Sequence, residues 1–377
     1  MLFGWAARTQ ETGMKAVIIE GRNERARVDE VEVGEPAEGE IRIKMAASGV
    51  CHSDYSVIDG TIDREYPIIL GHEGAGVVDA VGDHVKSLQP GDHVVLSYIP
   101  QCGKCFYCTT GRPNLCETSS FTGQGFLPNG NRPIKRGGEP ISMMTGLGTM
   151  SEMTIIHETS AVPISPDIPL EKAALVGCGV MTGVGAAINT ADVQAGSSVA
   201  VFGSGGIGLN VIQGAAMAGA NKIIAVDTNP LKLEFALRFG ATHTVDASEE
   251  DPVDRIRQLT DGRGSDYAFE AIGNATVMRQ AYDSTRRAGT VAVIGIAKAN
   301  DDISIPASTL VRDEKRIVGS FYGSTRQRVD LPRMFELYES GHLKLDELIT
   351  KTYAIDDAQE AFDDLIAGKN ARGVLVF

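Results

Sequence analysis

Four side chains that could bind a metal ion lie between Gly49 and Glu73, in two short glycine-rich motifs. They are Cys51, Asp54, His72 and Glu73. A thiolate and a neutral imidazole are ligands that zinc prefers in proteins. The alternative is a buried cysteine and a core histidine that never contact a metal, and the pair alone does not decide. Cys178 and a turn that begins at Gly203 bear on the choice.

Four further cysteines are packed into a short segment, with the spacing C-x2-C-x2-C-x7-C. They are Cys102, Cys105, Cys108 and Cys116. Four thiolates so close together can form a closed tetrahedral zinc site, which is a structural site. A redox pair or free thiols are the alternative. An iron–sulfur cluster is disfavoured, because Glu117 stands where the bacterial ferredoxin run has proline. No export signal is present, so metal binding is favoured over disulfides.

A glycine-rich turn with G-x-G-x-x-G spacing follows the apolar run Val199 to Phe202 and precedes a helical run from Leu209 to Met217. Strand, glycine turn and helix in this order are the dinucleotide fingerprint in the context that it requires. The cofactor pyrophosphate would lie over the helix N-terminus, where free N–H groups and the helix dipole favour an anion. The predicted cofactor-binding residues of the turn are Gly203, Gly205, Gly206, Ile207 and Gly208.

Asp227 ends the next apolar strand, about the distance downstream that the fingerprint expects. A carboxylate there accepts hydrogen bonds from the adenosine ribose and repels a 2′-phosphate. The residues from Thr228 to Lys232 include no arginine that could receive such a phosphate. The motif therefore predicts NAD rather than NADP as the cofactor. A glycine-rich turn in some other α/β protein is the alternative.

Length and composition indicate an ordinary globular enzyme of two domains. The chain has 377 residues, of which 43% are hydrophobic and 22% charged. Its formal net charge of −14 argues against a nucleic-acid or anionic-membrane partner. We find no apolar run that we expect to span a bilayer and no signal peptide, and we expect a cytoplasmic protein with a loosely ordered tail over residues 1–13.

The elements that must position these residues follow two patterns. Short strand-like runs with glycine and proline punctuation fill the first part, which predicts a small all-β barrel or sandwich with the metal-type residues on its loops. Residues 119–148 are rich in Gly, Pro and Asn and predict a long surface excursion, either a wall of the substrate channel or a subunit contact. From Pro169 helices and strands alternate, which predicts a parallel sheet, and Gly373 to Phe377 is strand-like and could rejoin the first domain.

In the order of these motifs the sequence resembles the zinc-dependent alcohol dehydrogenases of the medium-chain dehydrogenase/reductase superfamily. The resemblance runs from about Met14 to Phe377 and includes the closing Gly-Lys-Asn-Ala-Arg-Gly373. It implies an α/β protein in which a GroES-like β-rich catalytic domain is interrupted by a doubly wound Rossmann domain. The expected limits are 14–181 for the catalytic domain, with the structural zinc lobe at 102–116, then 182–320 for the NAD-binding domain, and 321–377 for the return.

The resemblance also assigns roles to individual residues. It implies a catalytic zinc on Cys51, His72 and Cys178, with Glu73 as an alternative ligand and Asp54 orienting His72. It implies a structural zinc on the four-cysteine lobe, and therefore two zinc ions per chain. It implies nicotinamide contact by Thr182, ribose contacts by Asp227 and Lys232, and pyrophosphate contacts by His52 and Arg372.

The chemistry implied is reversible oxidation of an alcohol by hydride transfer to NAD, with zinc lowering the pKa of the alcohol. Ser53 matches the hydroxyl that takes the alcohol proton. Ser56 stands where many relatives have a histidine that completes the relay, which puts the relay's exit in doubt. Residues aligned with the substrate cleft are apolar and favour primary alcohols with hydrophobic or aromatic groups; they are Ile62, Tyr98, Ile99, Ile294 and Ile296.

Three alternatives stay open from the sequence. A thiol-dependent formaldehyde dehydrogenase could share the scaffold, although Glu117 to Ser120 lacks the arginine that glutathione-dependent relatives carry there. An alcohol oxidoreductase with tightly held nicotinamide is the second alternative. A zinc-stabilised nucleotide-binding protein without turnover is disfavoured, because the whole ligand set and Ser53 are present. The family implies a homodimer or a homotetramer.

Overall fold

The computed structural model describes residues 11–377, which form three β-sheets with helices around them. Of the predicted tail, residues 1–10 lie outside the described part, and the first strand begins at Glu11 rather than Met14. The strands are β1 (Glu11–Ile19), β2 (Arg27–Val33), β3 (Glu40–Val50), β4 (Ile68–Ile69), β5 (Gly74–Val81), β6 (His93–Leu96), β7 (Ile134–Arg136), β8 (Glu139–Pro140), β9 (Ser142–Met143), β10 (Met153–His157), β11 (Ala161–Pro163), β12 (Ser198–Phe202), β13 (Lys222–Asp227), β14 (His243–Asp246), β15 (Ser265–Glu270), β16 (Thr285–Val293), β17 (Arg316–Gly319), β18 (Ile349–Ala354) and β19 (Arg372–Val376). The helices are α1 (His52–Ile58), α2 (Phe106–Thr109), α3 (Ser119–Thr122), α4 (Leu170–Leu175), α5 (Met181–Gly185), α6 (Gly206–Met217), α7 (Pro230–Arg238), α8 (Pro252–Leu259), α9 (Ala275–Ser284), α10 (Ala307–Arg312), α11 (Gln327–Glu339) and α12 (Ala358–Ile366).

Two mostly antiparallel sheets form the β-rich domain. One has the order β8-β7-β2-β1-β4-β9, and the other has the order β11-β6-β5-β3-β19-β18 with β10 also paired to β3. Along β3 the buried residues Ile41, Ile43 and Met45 alternate with polar ones, so one face of the strand packs in the core. The predicted return of the last strand is confirmed, because β19 pairs antiparallel with β3 from Gly373 to Val376.

The third sheet is parallel throughout and has the order β14-β13-β12-β15-β16-β17. Counted from its first strand this is 3-2-1-4-5-6, the order of dinucleotide-binding doubly wound folds. The last four residues of β12 are buried, as in a strand that is covered on both faces. The strand order reverses between β12 and β15, so a ligand site is expected outside the carboxyl ends of these strands. The predicted fold class is confirmed, while the domain limits stay a prediction.

The prediction that residues 119–148 form a surface excursion is wrong in part. Within 119–148, β7 pairs with β2 and β9 pairs with β4, and the side chains of Leu127, Ile134 and Met143 are fully buried. Glycine and proline correctly indicate turns here, but the apolar residues between the turns pack beneath the sheet of β1 and β2. The segment therefore contributes to the core as well as to the surface.

A helical stretch from Leu170 to Thr190 connects the two domains. By length and composition it is apolar enough to span a bilayer, with a mean hydropathy of 1.4, which corrects the expectation that no such run exists. However, 83% of its 18-residue apolar window is buried inside the protein, as in the core helix of a globular protein. The stretch consists of α4 and α5 with π-helical turns after each, at Val176–Val180 and Ala186–Thr190. Such turns often mark functional sites, and the first one carries Cys178.

Candidate active site

Four predicted metal-site residues meet at one point between the domains. The Sγ atoms of Cys51 and Cys178, a ring nitrogen of His72 and a carboxylate oxygen of Glu73 all lie within 4.8 Å of one another. Each of the four residues is buried. Cys51 caps the N-terminus of α1, His72 and Glu73 precede β5, and Cys178 lies on the π-helical turn. Two thiolates and an imidazole at this spacing suit a zinc ion, and the catalytic zinc on these residues stays a prediction.

His72 is oriented by Asp54, as the sequence predicts. His72 Nδ1 lies 3.1 Å from Asp54 Oδ1, and because a carboxylate only accepts, Nδ1 carries the proton. Burial alone would lower the pKa of His72, but the Asp54 carboxylate raises it well above its usual value. Within the described residues, the buried Nε2 has no hydrogen-bond partner, so it can bind a metal ion once the ring is neutral.

The group formed by Cys51, His72, Glu73 and Cys178 is the metal cluster of this site. Asp54 also fixes the backbone on both sides of this cluster. Its Oδ2 accepts from the backbone N–H of Cys51 at 3.1 Å, in a capping box at the start of α1. Its Oδ1 accepts from the backbone N–H of Gly71 at 3.0 Å. One fully buried carboxylate thus holds two of the predicted metal-ligand segments together.

Glu73 forms a buried ion pair with Arg372, in which Arg372 Nη2 donates to Oε2. Burial raises the pKa of Glu73 to about 7, although the guanidinium lowers it. The other carboxylate oxygen, Oε1, is buried and has no partner in the described chain. Glu73 therefore has one oxygen held by Arg372 and one oxygen free beside the sulfur atoms.

Arg372 lies where the metal cluster and the coenzyme turn meet. An added Cβ at Gly206 would lie 2.6 Å from Arg372 Cδ, and one at Gly179 would lie 2.3 Å from its Nη1. The side chain thus contacts the fingerprint turn and the turn that carries Cys178. The guanidinium is only 4% exposed and is committed to Glu73, so its predicted contact with the pyrophosphate stays a prediction.

The coenzyme turn has the shape that the fingerprint predicts. Gly203 has a φ of +91°, and an added Cβ at Gly208 would lie 1.8 Å from the carbonyl oxygen of Gly203. An added Cβ at Gly205 would meet no atom within 4 Å. The N-terminus of α6 therefore faces open space that a pyrophosphate fits.

Asp227 is held at the carboxyl end of β13. Its Oδ2 accepts from the backbone N–H of Ser204 at 2.8 Å, and its Oδ1 accepts from that of Asn229 at 3.0 Å. Lys232, the other predicted ribose contact, is half-buried, with its Cε near Gly368. His52 is exposed and its ring centroid lies 5.9 Å from that of Tyr55, and its predicted contact with the pyrophosphate stays a prediction.

The residues predicted for the substrate side differ in their position and exposure. Ser53 is half-buried with Oγ at 3.9 Å from Cys51 Sγ, and Thr182 is buried with an unpartnered hydroxyl. Tyr98 lies with its ring centroid 5.8 Å from that of His72. In contrast, Ile62 packs against a separate core cluster and Ile99 is 4% exposed, so both side chains pack in the core. The two remaining residues differ, since Ile294 is 7% exposed and Ile296 is 60% exposed.

The four cysteines of the lobe also converge. Their Sγ atoms all lie within 4.8 Å of one another, with Cys102 to Cys108 at 4.0 Å and Cys105 to Cys116 at 3.9 Å. All four cysteines are free thiols, and neither pair forms a disulfide. Four sulfur donors leave no ligand position open, so the lobe fits a structural zinc ion.

Sequence reasoning missed Tyr322, a buried tyrosine close to the metal cluster. Its ring centroid lies 4.3 Å from that of Tyr98, and its hydroxyl donates to the carbonyl of Gly177 at 2.6 Å. Only the Tyr-Gly-Ser turn signal could have indicated a bend at this position. Nothing in the sequence indicates which distant residues the bend contacts.

Comparisons with known proteins agree with this geometry. Residues 37–166 match the model of the alcohol dehydrogenase GroES-like domain, and residues 206–340 match that of zinc-binding dehydrogenases. The chain is 41% identical to an NDMA-dependent alcohol dehydrogenase of Amycolatopsis methanolica, over 96% of this chain and 98% of that one. It is 42% identical to an S-(hydroxymethyl)glutathione dehydrogenase of Photobacterium damsela, over 96% and 99%.

Solved structures give the same result. An alcohol dehydrogenase zinc-binding domain protein from Burkholderia ambifaria has a TM-score of 0.92 at 33% identity, covering 97% of this chain and 99% of that one. Benzyl alcohol dehydrogenase from Acinetobacter calcoaceticus has a TM-score of 0.91 at 31% identity, with the same coverage. These similarities extend over both domains.

Proposed function

The chain belongs to the zinc-dependent alcohol dehydrogenases of the medium-chain dehydrogenase/reductase superfamily, and on that premise we propose that it oxidises primary alcohols reversibly to aldehydes with NAD. The observation that carries the proposal is the buried convergence of Cys51, His72 and Cys178, with His72 Nε2 free of other partners. Bound there, zinc would act as a Lewis acid on the alcohol oxygen and NAD would accept the hydride.

The residues around the cluster orient the reactants and exclude water. Asp54 fixes the ring of His72, and the open cradle at Gly205 lies beside Arg372, which also contacts the metal cluster. This continuity supports a cleft that would hold a nicotinamide cofactor beside a metal-bound alcohol. Thr182 lies on the same helical stretch as Cys178, and its buried hydroxyl, which has no partner among the described residues, is proposed to contact the nicotinamide.

Ser53 is proposed to receive the alcohol proton. Its Oγ lies beside Cys51 Sγ at the start of α1, half-buried and therefore within reach of both the cluster and solvent. Ser56 follows on the same face of α1, three residues later, where relatives carry a histidine. A serine hydroxyl can pass a proton to water, so the relay is proposed to end in a water chain.

NAD is proposed over NADP because of Asp227. The carboxylate is held by two backbone N–H groups at the end of β13, where it can accept from ribose hydroxyls and repel a 2′-phosphate. The structural zinc is proposed on the four-cysteine lobe. A homodimer or a homotetramer is proposed from the family.

The substrate class follows from the wall next to His72. Tyr98 lies edge-on to His72, Phe321 packs 6.2 Å from Tyr98, and the buried Tyr322 packs behind Tyr98. Such a surface favours apolar or aromatic groups over polyols. The similarity to a benzyl alcohol dehydrogenase supports this choice.

The names of two relatives indicate two alternative functions. Relatives named S-(hydroxymethyl)glutathione dehydrogenase and NDMA-dependent alcohol dehydrogenase are equally similar to this chain. The absence of an arginine between Glu117 and Ser120 argues against glutathione recognition. No residue described above argues for a tightly held cofactor, so freely exchanging NAD is proposed.

The test is the formation of NADH and of aldehyde by purified protein whose zinc content has been measured, because an added oxidant such as NDMA would consume NADH. The panel holds ethanol, hexanol, benzyl alcohol, a secondary alcohol and formaldehyde, each with and without glutathione and with and without NDMA. Steady NADH release from benzyl alcohol or hexanol without either additive, with two zinc ions per chain, is the expected result. Turnover that requires glutathione, or that occurs only with NDMA, would contradict the proposal and select the corresponding relative's activity.

A further inference from the structure

A strained loop from Phe321 to Thr325 lies against the helical stretch that carries Cys178. Three successive residues have left-handed backbone conformations, with φ of 52° at Tyr322, 60° at Gly323 and 51° at Ser324. Tyrosine and serine rarely adopt this conformation, and it persists only where surrounding contacts impose it. Contacts from elsewhere in the chain must therefore hold the loop in this conformation.

Contacts from two parts of the chain hold the loop. Asn114 Nδ2 donates to the carbonyl of Phe321 at 3.0 Å, and Asn189 Nδ2 donates to that of Gly323 at 3.2 Å. Thr190 Oγ1 lies 2.8 Å from Ser324 Oγ. Asn114 is 4% exposed and belongs to the four-cysteine lobe, between the third and the fourth cysteine. The lobe and the long helix therefore fix the loop from two sides.

The loop in turn holds the residue before Cys178. Tyr322 is 1% exposed, and its hydroxyl donates to the carbonyl of Gly177 at 2.6 Å. Gly177 lies in the π-helical turn, where the regular hydrogen-bond ladder of the helix is interrupted. A donor from another part of the chain can therefore set the orientation of this peptide group. The Tyr322 ring also packs 4.3 Å from Tyr98, which faces His72.

We propose that Tyr322 is a positioning residue for the catalytic metal, which fixes Cys178 through the Gly177 carbonyl, and that Asn114 of the four-cysteine lobe keeps Tyr322 in place. The inference rests on the proposed two-zinc assignment. It gives the four-cysteine lobe a role at the active site, since the lobe contributes Asn114 to the loop that orients a catalytic ligand. Tyr322 itself does not touch the substrate in this role.

The test is the substitution Tyr322→Phe, which removes the hydroxyl and keeps the ring. Wild type and variant are both fully loaded with cobalt, and their absorption spectra are subtracted, so that the contribution of the unchanged four-cysteine lobe cancels. We expect a shift in the sulfur-to-cobalt bands and a release of the catalytic metal to a chelator that is about ten-fold faster. The matched control is Tyr282→Phe, which removes another buried tyrosine hydroxyl, bonded to Thr309 at 2.9 Å in the coenzyme domain.

A second variant, Asn114→Ala, removes the support of the loop and leaves the Tyr322 hydroxyl in place. We expect faster release of the catalytic metal here too, with four-cysteine metal retained. An unchanged difference spectrum and unchanged release in Tyr322→Phe would overturn the inference; if that variant does not fold, unchanged release in Asn114→Ala overturns it. Wild-type protein that binds fewer than two metal ions would instead contradict the proposed function.

Discussion

Glu73 and Arg372 form a buried ion pair across 299 residues of sequence, between the metal cluster and the coenzyme turn. The pair belongs to both sites, since Glu73 lies beside the sulfur atoms and Arg372 contacts Gly206 and Gly179. A buried charge is costly unless it is paired, so each member depends on the other.

Replacing Arg372 is expected to destabilise the protein. Arg372→Met leaves the Glu73 carboxylate buried without its partner, which costs about 3–5 kcal/mol in comparable cases. Urea unfolding followed by circular dichroism measures this loss. The control Arg287→Met removes an exposed ion pair with Asp313, whose loss costs about 0–1 kcal/mol.

The double variant Glu73→Gln/Arg372→Met removes both charges. We expect it to recover much of the lost stability, because no unpaired charge remains buried. Equal free energies of unfolding for the wild type and Arg372→Met would show that the ion pair does not stabilise the protein.

Removing the hydroxyl of Ser53 is expected to abolish most turnover. Ser53→Ala loses the group that receives the alcohol proton, and loss of such a group typically costs about 10²–10⁴ in rate. Both zinc ions should remain bound, as measured by metal analysis. Ser56→Ala, also half-buried on α1, should lose much less, because water can replace a hydroxyl at the exit of the relay. Unchanged kcat in Ser53→Ala would contradict the relay.

Two glycines of the coenzyme turn should respond differently to alanine. At Gly205 φ is −80° and an added Cβ meets no atom within 4 Å, so Gly205→Ala should fold with a stability change of no more than about 1 kcal/mol. Its methyl group would occupy the pyrophosphate position, so we expect NAD affinity to fall at least about ten-fold in calorimetry, or about 1.4 kcal/mol.

Gly208→Ala is the contrasting variant. Its Cβ would lie 1.8 Å from the carbonyl oxygen of Gly203, which is backbone and cannot move away cheaply. We expect poor folding in this variant. Wild-type NAD affinity in Gly205→Ala would argue against a pyrophosphate at that turn.

His157 is expected to make stability depend on pH. Burial lowers the pKa of His157, and its Nδ1 accepts from the backbone N–H of Thr159, a bond that protonation would break. The folded state thus favours the neutral ring, and stability should fall as the pH drops through the unfolded pKa of about 6.5. The thermal midpoint, measured across this range, should fall less for His157→Gln than for wild type.

The exposed His84 gives a control of opposite sign. Its hydrogen bond with Glu38 raises the pKa of His84. The small contribution of His84 to the stability of the fold is therefore present at low pH and is lost as the pH rises. A His157→Gln profile parallel to that of wild type would contradict the prediction.

The sequence predicts those parts of the site that depend on local motifs. Cys51, His72 and the glycine turn each lie in a short segment whose residue types are required by the chemistry, and the strands around them show clear apolar runs. The fingerprint and the alternation of helices and strands predict a parallel sheet, and its strand order, 3-2-1-4-5-6, comes from the structure.

The parts that the sequence did not predict depend on contacts between distant residues. The Glu73–Arg372 pair and the Tyr322–Gly177 bond join residues far apart in the chain, and no periodicity encodes them. The same holds for residues 119–148, whose turn-forming composition hides the apolar side chains that pack under β1 and β2. Tertiary packing decides such cases, not local propensity.

The position of β19 has a consequence for synthesis on the ribosome. β19 lies between β3 and β18 in its sheet and begins at Arg372, yet it follows the whole coenzyme sheet in the chain. The coenzyme sheet can therefore fold while the ribosome is still adding residues, because domains generally fold as units. The Glu73–Arg372 ion pair can form only after Arg372 has been synthesised. We therefore expect a nascent chain to complete its coenzyme sheet before the ion pair beside the metal cluster is in place.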